Sequence, residues 1–381
     1  VPFPRRLSRS LFAAALLTSA GALHAQTDPW QACTALDDPQ ARLACYDRWA
    51  AAQREAAQQA ASPATPSAAP PVDAGAAKAV REALAATRGG GLRLTRKQGC
   101  HNPELTGLSA AWELEDTSDC GTFGLRGYRP TSIAVVASDS VNKQPTSPNP
   151  LNNAAAPQPY RNTETRLQLS VRTKLATGLL PVRDPTLNDS LWFGYTQQSY
   201  WQLFTPAISR PFRSTDHEPE LFYLYPLQAA DASRWRLRFG GIGISHQSNG
   251  QSLPLSRSWN RVYLMAGAER GDVVVQARVW QRIHESAAND DNPNISSFIG
   301  RAEGVVNWRA NLDNQLRLTV RHNLQRDARG SVRLEWFHTL AGSGGEGLQL
   351  HTQLFSGYGD SLLDYNRRRT MLSIGLSLSD W

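Results

Sequence analysis

Arg166-Leu167-Gln168-Leu169-Ser170-Val171-Arg172 alternates polar and apolar residues without a break. On an extended strand Leu167, Leu169 and Val171 therefore share one face, and Gln168 and Ser170 the other. Val274-Val275-Gln276-Ala277-Arg278-Val279-Trp280 and Gln315-Leu316-Arg317-Leu318-Thr319-Val320-Arg321 repeat the pattern, and Leu372, Ile374, Leu376 and Leu378 close the series. From residue 92 onward such segments alternate with turn clusters, with room for about twelve of about ten residues each. The spacing predicts an all-β fold: an antiparallel transmembrane β-barrel of about 12 strands behind a small helical or irregular N-terminal extension.

Periodicity alone leaves a second architecture open, because in a soluble sandwich the apolar face is the core. Three features favour the outer membrane: a secretory leader, Trp and Tyr near segment ends, and an aromatic last residue. Trp381 does fall one residue out of phase with the leucines before it. Outside the leader no run approaches eighteen apolar residues, and mean hydropathy is negative. Helical membrane spans are excluded on that ground, but barrel strands are not, since their lumen-facing residues are polar.

Residues 1–25 read as a signal peptide. Arg5, Arg6 and Arg9 precede an apolar core from Leu11 to Leu23, and Leu23-His24-Ala25 resembles a cleavage site. Residues 26–50 predict a small disulfide-closed helical element, and the Ala, Pro and Gln of residues 51–90 a linker. The barrel is placed over residues 91–381. Four cysteines in an exported chain predict disulfides. Proximity favours Cys33–Cys45 and Cys100–Cys120, although four cysteines permit three pairings, and the lack of C-x-x-C argues against zinc. The formal charge is +7, three of it from the leader arginines. With no basic run interleaved with aromatics, nucleic-acid binding is a poor reading.

One segment carries chemistry. In His246-Gln247-Ser248-Asn249-Gly250 the histidine and serine lie two apart, so on a strand both side chains leave the same face. A serine hydroxyl needs such a base to become a nucleophile. Asn260, in Ser256-Arg257-Ser258-Trp259-Asn260-Arg261, is placed to accept the other imidazole N–H and hold one tautomer. Ile242, Ile244, His246 and Ser248 share a face, as do Asn260, Val262, Leu264 and Ala266. The reacting groups are thereby expected on the outer, lipid-facing wall. Trp235, Leu237 and Phe239 have the opposite phase, which predicts a β-bulge at Gly240-Gly241. The other histidines, His217 among them, read as ordinary polar positions.

The hairpin resembles the catalytic hairpin of the outer-membrane phospholipase A family. Further matching stretches follow in the same order, covering roughly residues 126–381. They include Tyr195-Thr196-Gln197-Gln198-Ser199-Tyr200-Trp201-Gln202, Pro211-Phe212-Arg213, Glu218-Pro219-Glu220-Leu221-Phe222, Asp290-Asp291-Asn292-Pro293 and Ser356-Gly357-Tyr358-Gly359-Asp360. The resemblance implies a bacterial outer-membrane phospholipase A1/A2, calcium-dependent, a homodimer when active and a monomer when resting. Its active site would face the outer leaflet and cleave sn-1 and sn-2 esters of phospholipids and lysophospholipids. It assigns Ser248 as nucleophile, His246 as proton acceptor, Asn260 as the group orienting the ring, and the backbone N–H of Gly250 to the oxyanion. It places the Ser256 hydroxyl and the Gln251 carbonyl at Ca2+, with the Ser209 carbonyl arriving from a second subunit. Asp291 matches an acidic position of a second calcium mode whose partner acid is Leu253 here, which puts that mode in doubt. Two other classes compete: a structural or transport barrel without activity, and a soluble secreted serine esterase. The esterase would require a G-x-S-x-G elbow, which does not surround Ser248.

Overall fold

The computed structural model describes residues 31–34, 36–61, 107–210, 212–227, 234–287, 289–341 and 347–378. The leader, most of the linker, Cys100, Pro211 and Trp381 lie outside them. The chain divides into a unit ending at Gly89 and a unit beginning at Gly90. In the first, α1 (Gln31–Thr34) and α2 (Pro39–Ala61) are joined by a Cys33–Cys45 disulfide. Asp38 caps α2, accepting the amides of Gln40 and Ala41 at 3.3 and 3.1 Å, with Pro39 in the first turn where its missing N–H costs nothing. The helix runs on to Ala61, into the stretch read as linker.

The second unit is a closed antiparallel sheet. Its strands are β1 (Leu125–Gly127), β2 (Thr131–Ser138), β3 (Thr163–Thr177), β4 (Ser190–Trp201), β5 (Ser214–Pro226), β6 (Arg236–Ser248) and β7 (Ser258–Arg270). They continue with β8 (Val273–Arg282), β9 (Ala302–Arg309), β10 (Asn314–His322), β11 (Gly330–Ala341), β12 (Leu348–Gly357) and β13 (Arg369–Leu378). From β2 onward each strand pairs with its sequence neighbour, and β13 pairs with β2 to close the cylinder. β1 and β2 lie end to end along β3, with Leu125 opposite Thr173 and Ser132 opposite Gln168. They form one stave broken at Pro130, which has no N–H for the ladder, so the barrel has twelve staves.

Burial decides between membrane barrel and sandwich. In β13 the apolar Leu372, Ile374 and Leu378 are about half exposed, while Ser373 and Ser377 between them are buried. The lumen side is charged. Glu164 meets Arg213 at 2.5 Å and Arg369 at 3.2 Å, and Asp364 meets the same two arginines at 3.0 and 2.9 Å. A soluble core would reverse these faces. An apolar exterior around a polar, internally satisfied interior is what a bilayer demands of a closed sheet.

The lumen is filled. α3 (Leu108–Trp112) lies inside, with Trp112 edge-on to Tyr128, Trp192, Phe222 and Phe239 and the Arg172 guanidinium 4.2 Å above it. Leu108 N–H donates to Glu269 at 2.7 Å. The cavity between Arg129, Glu218, Glu220 and Arg261 measures about 20 Å³, room for one water rather than a solute path.

The bulge in β6 is displaced from its expected position. The register with β7 shifts between Leu237 and Phe239, at Arg238 and not at Gly240-Gly241. Arg238 and Phe239 both turn inward, the first onto Glu269 at 2.7 Å and the second onto Trp112. Two consecutive inward residues are the signature of the inserted one. Gly241 serves packing instead, as does Gly243: side chains there would collide with Leu224 and Tyr263, whereas Gly240 faces open space.

Candidate functional site

The two longest connections, residues 139–162 and 283–301, open at one end of the cylinder together with 202–213, 249–257 and 358–368, while the twelve residues 178–189 connect at the other. Gly271-Asp272 and residues 310–313 are among the short turns at the other. The hairpin of β6 and β7 brings the reacting residues to the long-loop end. His246 stands directly opposite Asn260 in the register, and its Nδ1 lies 2.8 Å from Asn260 Oδ1. His246 is exposed and Asn260 half-buried, on the face carrying the exposed Ile242, Ile244, Val262 and Leu264. Ser248 follows two residues on, half-buried, facing Ser258 on β7. The parity read from the sequence holds for all three.

Inward residues of the same hairpin fix its geometry. Trp259 is fully buried, donates to Gln247 Oε1 at 2.8 Å, and is covered by the Arg261 guanidinium at 4.1 Å. Asn249 organises the loop: Oδ1 accepts from Arg257 N–H at 2.9 Å, and Nδ2 donates to the Leu255 carbonyl at 2.7 Å. Gly250 adopts φ +61°, a conformation that favours glycine, and among the described residues its N–H has no partner. Among those residues, too, no hydrogen bond joins Ser248 Oγ to the His246 ring. Such bonds are often long before substrate binds and tighten in the complex.

Two residues near the centre were not expected. His217 on β5 lies directly across from Ser248, with Nδ1 2.7 Å from the Tyr195 hydroxyl. Its Nε2 is 3.8 Å from where a Cβ on Gly250 would stand. Reading it as an ordinary polar position overlooked the pairing of β5 with β6, which only the closed sheet reveals. Tyr195 and the Glu218-Pro219-Glu220 stretch did flag that wall. Beside Pro219 the ladder to β6 skips two residues, next to His246. The second is Glu285, whose Oε1 accepts from Asn260 Nδ2 at 2.9 Å. No pattern in the residues beside it marks it, although Asp290-Asp291-Asn292-Pro293 lies in the same loop.

The residues assigned to calcium divide. Ser256 Oγ donates to Asp291 Oδ2 at 2.7 Å, and Asn152 bridges the pair, donating to the Ser256 carbonyl at 2.9 Å and to Asp291 Oδ1 at 3.1 Å. Gln251 shares the loop of Ser256 but directs Nε2 to the Arg213 carbonyl at 3.2 Å. Ser209, between β4 and β5, accepts the Trp201 indole N–H through its carbonyl. Leu253 is exposed and offers no side-chain oxygen.

A twelve-stave barrel with an apolar wall and a histidine–asparagine pair at its rim defines an outer-membrane enzyme that works on lipid. A family model described as Phospholipase A1 matches residues 108–378. A protein of Neisseria meningitidis serogroup B is 34% identical over 362 residues, covering 91% of this chain and 90% of its own length. The Phospholipase A1 of Escherichia coli K12 is 34% identical over 220 residues, 58% of this chain and 71% of that one. Among solved structures, the outer membrane phospholipase A of Escherichia coli superposes with a TM-score of 0.58 at 32% identity, covering 68% of this chain and 99% of that one. The Salmonella typhi enzyme, solved as a dimer with bound calcium, gives 0.58 at 32% identity, covering 68% and 93%. The chain belongs to the phospholipase A1 family, and it is a phospholipase of the outer membrane.

Proposed function

We propose that this chain hydrolyses the sn-1 and sn-2 acyl esters of phospholipids and lysophospholipids through Ser248, His246 and Asn260, in a calcium-dependent reaction activated by dimerisation. The observation that carries the reading is the 2.8 Å His246–Asn260 pair on the apolar outer wall, with Ser248 on the same face. Asn260 Oδ1 accepts from Nδ1–H, which leaves Nε2 as the base. Ser248 Oγ attacks the ester carbonyl as Nε2 takes its proton, and the imidazolium then protonates the departing alkoxide oxygen. Water, activated by the same ring, releases the fatty acid from the acyl-enzyme. The N–H of Gly250, without a partner among the described residues, suits the developing oxyanion, and its positive φ favours glycine. Another solved Escherichia coli outer membrane phospholipase A is an active-site mutant in which asparagine is replaced by alanine, which supports the part given to Asn260.

The residues at the rim fit a hard cation. Asp291 brings charge, Ser256 and Ser258 bring hydroxyls at 2.7 and 3.5 Å from its carboxylate, and the buried Asn152 Oδ1 has no hydrogen-bond partner. Ser256 would hold the ion, with the Gln251 carbonyl from its own loop and the Ser209 carbonyl of a second copy, and Asp291 beside Ser256 would add negative charge. Bound there, calcium supplies positive charge for the oxyanion. The Salmonella typhi dimer supports both the ion and the pairing. The exposed Leu203, Phe204 and Phe212 beside Ser209 are apolar enough to meet a second copy or an acyl chain.

Replacing Ser248 by Ala tests the assignment. Fatty-acid release from phospholipid in detergent micelles should fall by about 10³-fold or more while circular dichroism still reports a folded barrel. Substantial hydrolysis by that variant would remove Ser248 as nucleophile.

A further inference from the structure

We propose that Glu285 is a positioning residue of this active site, supplying one hydrogen bond further out the negative charge that Asn260 lacks. The inference rests on the triad reading above and adds a fourth member to it. An asparagine can present either its oxygen or its nitrogen to a histidine, and only the oxygen accepts Nδ1–H. Glu285 Oε1 lies 2.9 Å from Asn260 Nδ2. A carboxylate only accepts, so the amide cannot turn over without setting two oxygens against each other. Glu285 therefore selects the productive orientation of Asn260, and through it the tautomer of His246.

Its own position is built. The Ile283 N–H donates to the Asn260 carbonyl at 2.8 Å, which tethers the segment to β7. Arg282 holds Glu285 Oε2 at 3.4 Å and Asp290 at 2.6 Å. Two acids around one guanidinium leave the cluster negative. Arg261, next to Asn260 on β7, and Glu218 on β5 pair with each other at 2.5 Å inside the lumen, so neither offsets that charge at the outer face. When Nε2 takes the Ser248 proton, the imidazolium faces an amide polarised by a carboxylate. No proton passes beyond His246, since an amide cannot relay one. A neutral third residue thereby acts with part of the electrostatics of an aspartate.

The test is a double-mutant cycle on the full-length, calcium-loaded protein, with phospholipid in detergent micelles as substrate. Glu285→Ala should lower kcat about tenfold with KM unchanged. Asn260→Asp should lower it further, because two carboxylates then face each other across the bond. Combining Asn260→Asp with Glu285→Gln should recover about tenfold over Asn260→Asp alone, since the new amide can donate to the new carboxylate. A merely structural role for Glu285 would make the two changes additive. Additivity, or wild-type kcat in Glu285→Ala, would overturn the proposal while leaving the triad intact. Full activity in Asn260→Ala would sink the triad reading itself, and the role of Glu285 with it. Circular dichroism of each variant separates lost chemistry from lost fold.

Discussion

The lumen and the outer rim of this barrel both carry polar groups, but for opposite reasons. In the lumen, Glu164, Arg213, Asp364 and Arg369 are buried and tied to one another, and Glu269 holds Arg236 at 2.9 Å, Arg238 at 2.7 Å and the Leu108 amide. These charges share the cylinder with the aromatic cluster around Trp112 and help to fill it. Around the site on the outer wall the surroundings are Ile242, Ile244, Val262 and Leu264, and its polar groups lie where β6 and β7 reach the long loops. His246, Asn260, Glu285, His217 and Tyr195 bond among themselves there. Polar groups against hydrocarbon are costly unless satisfied by one another, so their presence on that wall marks work rather than architecture. Charge inside this barrel is structure, and the polar groups at this rim are the candidate site.

That contrast breaks or sharpens under three changes. The largest effect is expected from the lumen. Glu269→Ala leaves the Leu108 amide without its acceptor and Arg238 with Glu115 as its one remaining carboxylate, and should cost about 3 kcal/mol of stability in urea unfolding while the folded fraction keeps its specific activity. A variant that unfolds normally but has lost hydrolysis would contradict the division of labour. Next comes calcium removal by EDTA. Activity should drop on the order of 10²-fold, about 2.7 kcal/mol of transition-state stabilisation, with unfolding unchanged. An unaffected rate would separate the Ser256–Asp291 cluster from catalysis. Smallest is Leu264→Arg, which puts a charge on the outer wall and should destabilise the barrel in lipid by about 2 kcal/mol. Equal stability in water-like detergent and in lipid would argue that this face does not meet hydrocarbon.

Much of this was legible in the residues because a strand has a period of two. Parity alone sent His246, Ser248 and Asn260 outward and Arg261 and Tyr263 inward, and the burial of the two faces agrees. The same rule misplaced the bulge. It located the phase change at the glycines, whereas Phe239 turns inward one stave-step earlier to pack on Trp112, a residue more than a hundred positions away. His217 was passed over for a related reason: its partner Ser248 sits on another strand, and pairing is not written in either segment.

What the chain determined by itself is local: the alternation that makes staves, the His-x-Ser spacing that puts base beside hydroxyl, and the aspartate that caps α2. Each depends on residues a few positions apart, where backbone geometry alone sets the outcome. The tertiary structure decided what needed distant segments to meet: closure of β13 on β2, the filling of the lumen by α3, Ser256 beside Asp291, and Glu285 behind Asn260. Those contacts follow from strand register and loop docking, which are settled by the free energy of the whole cylinder.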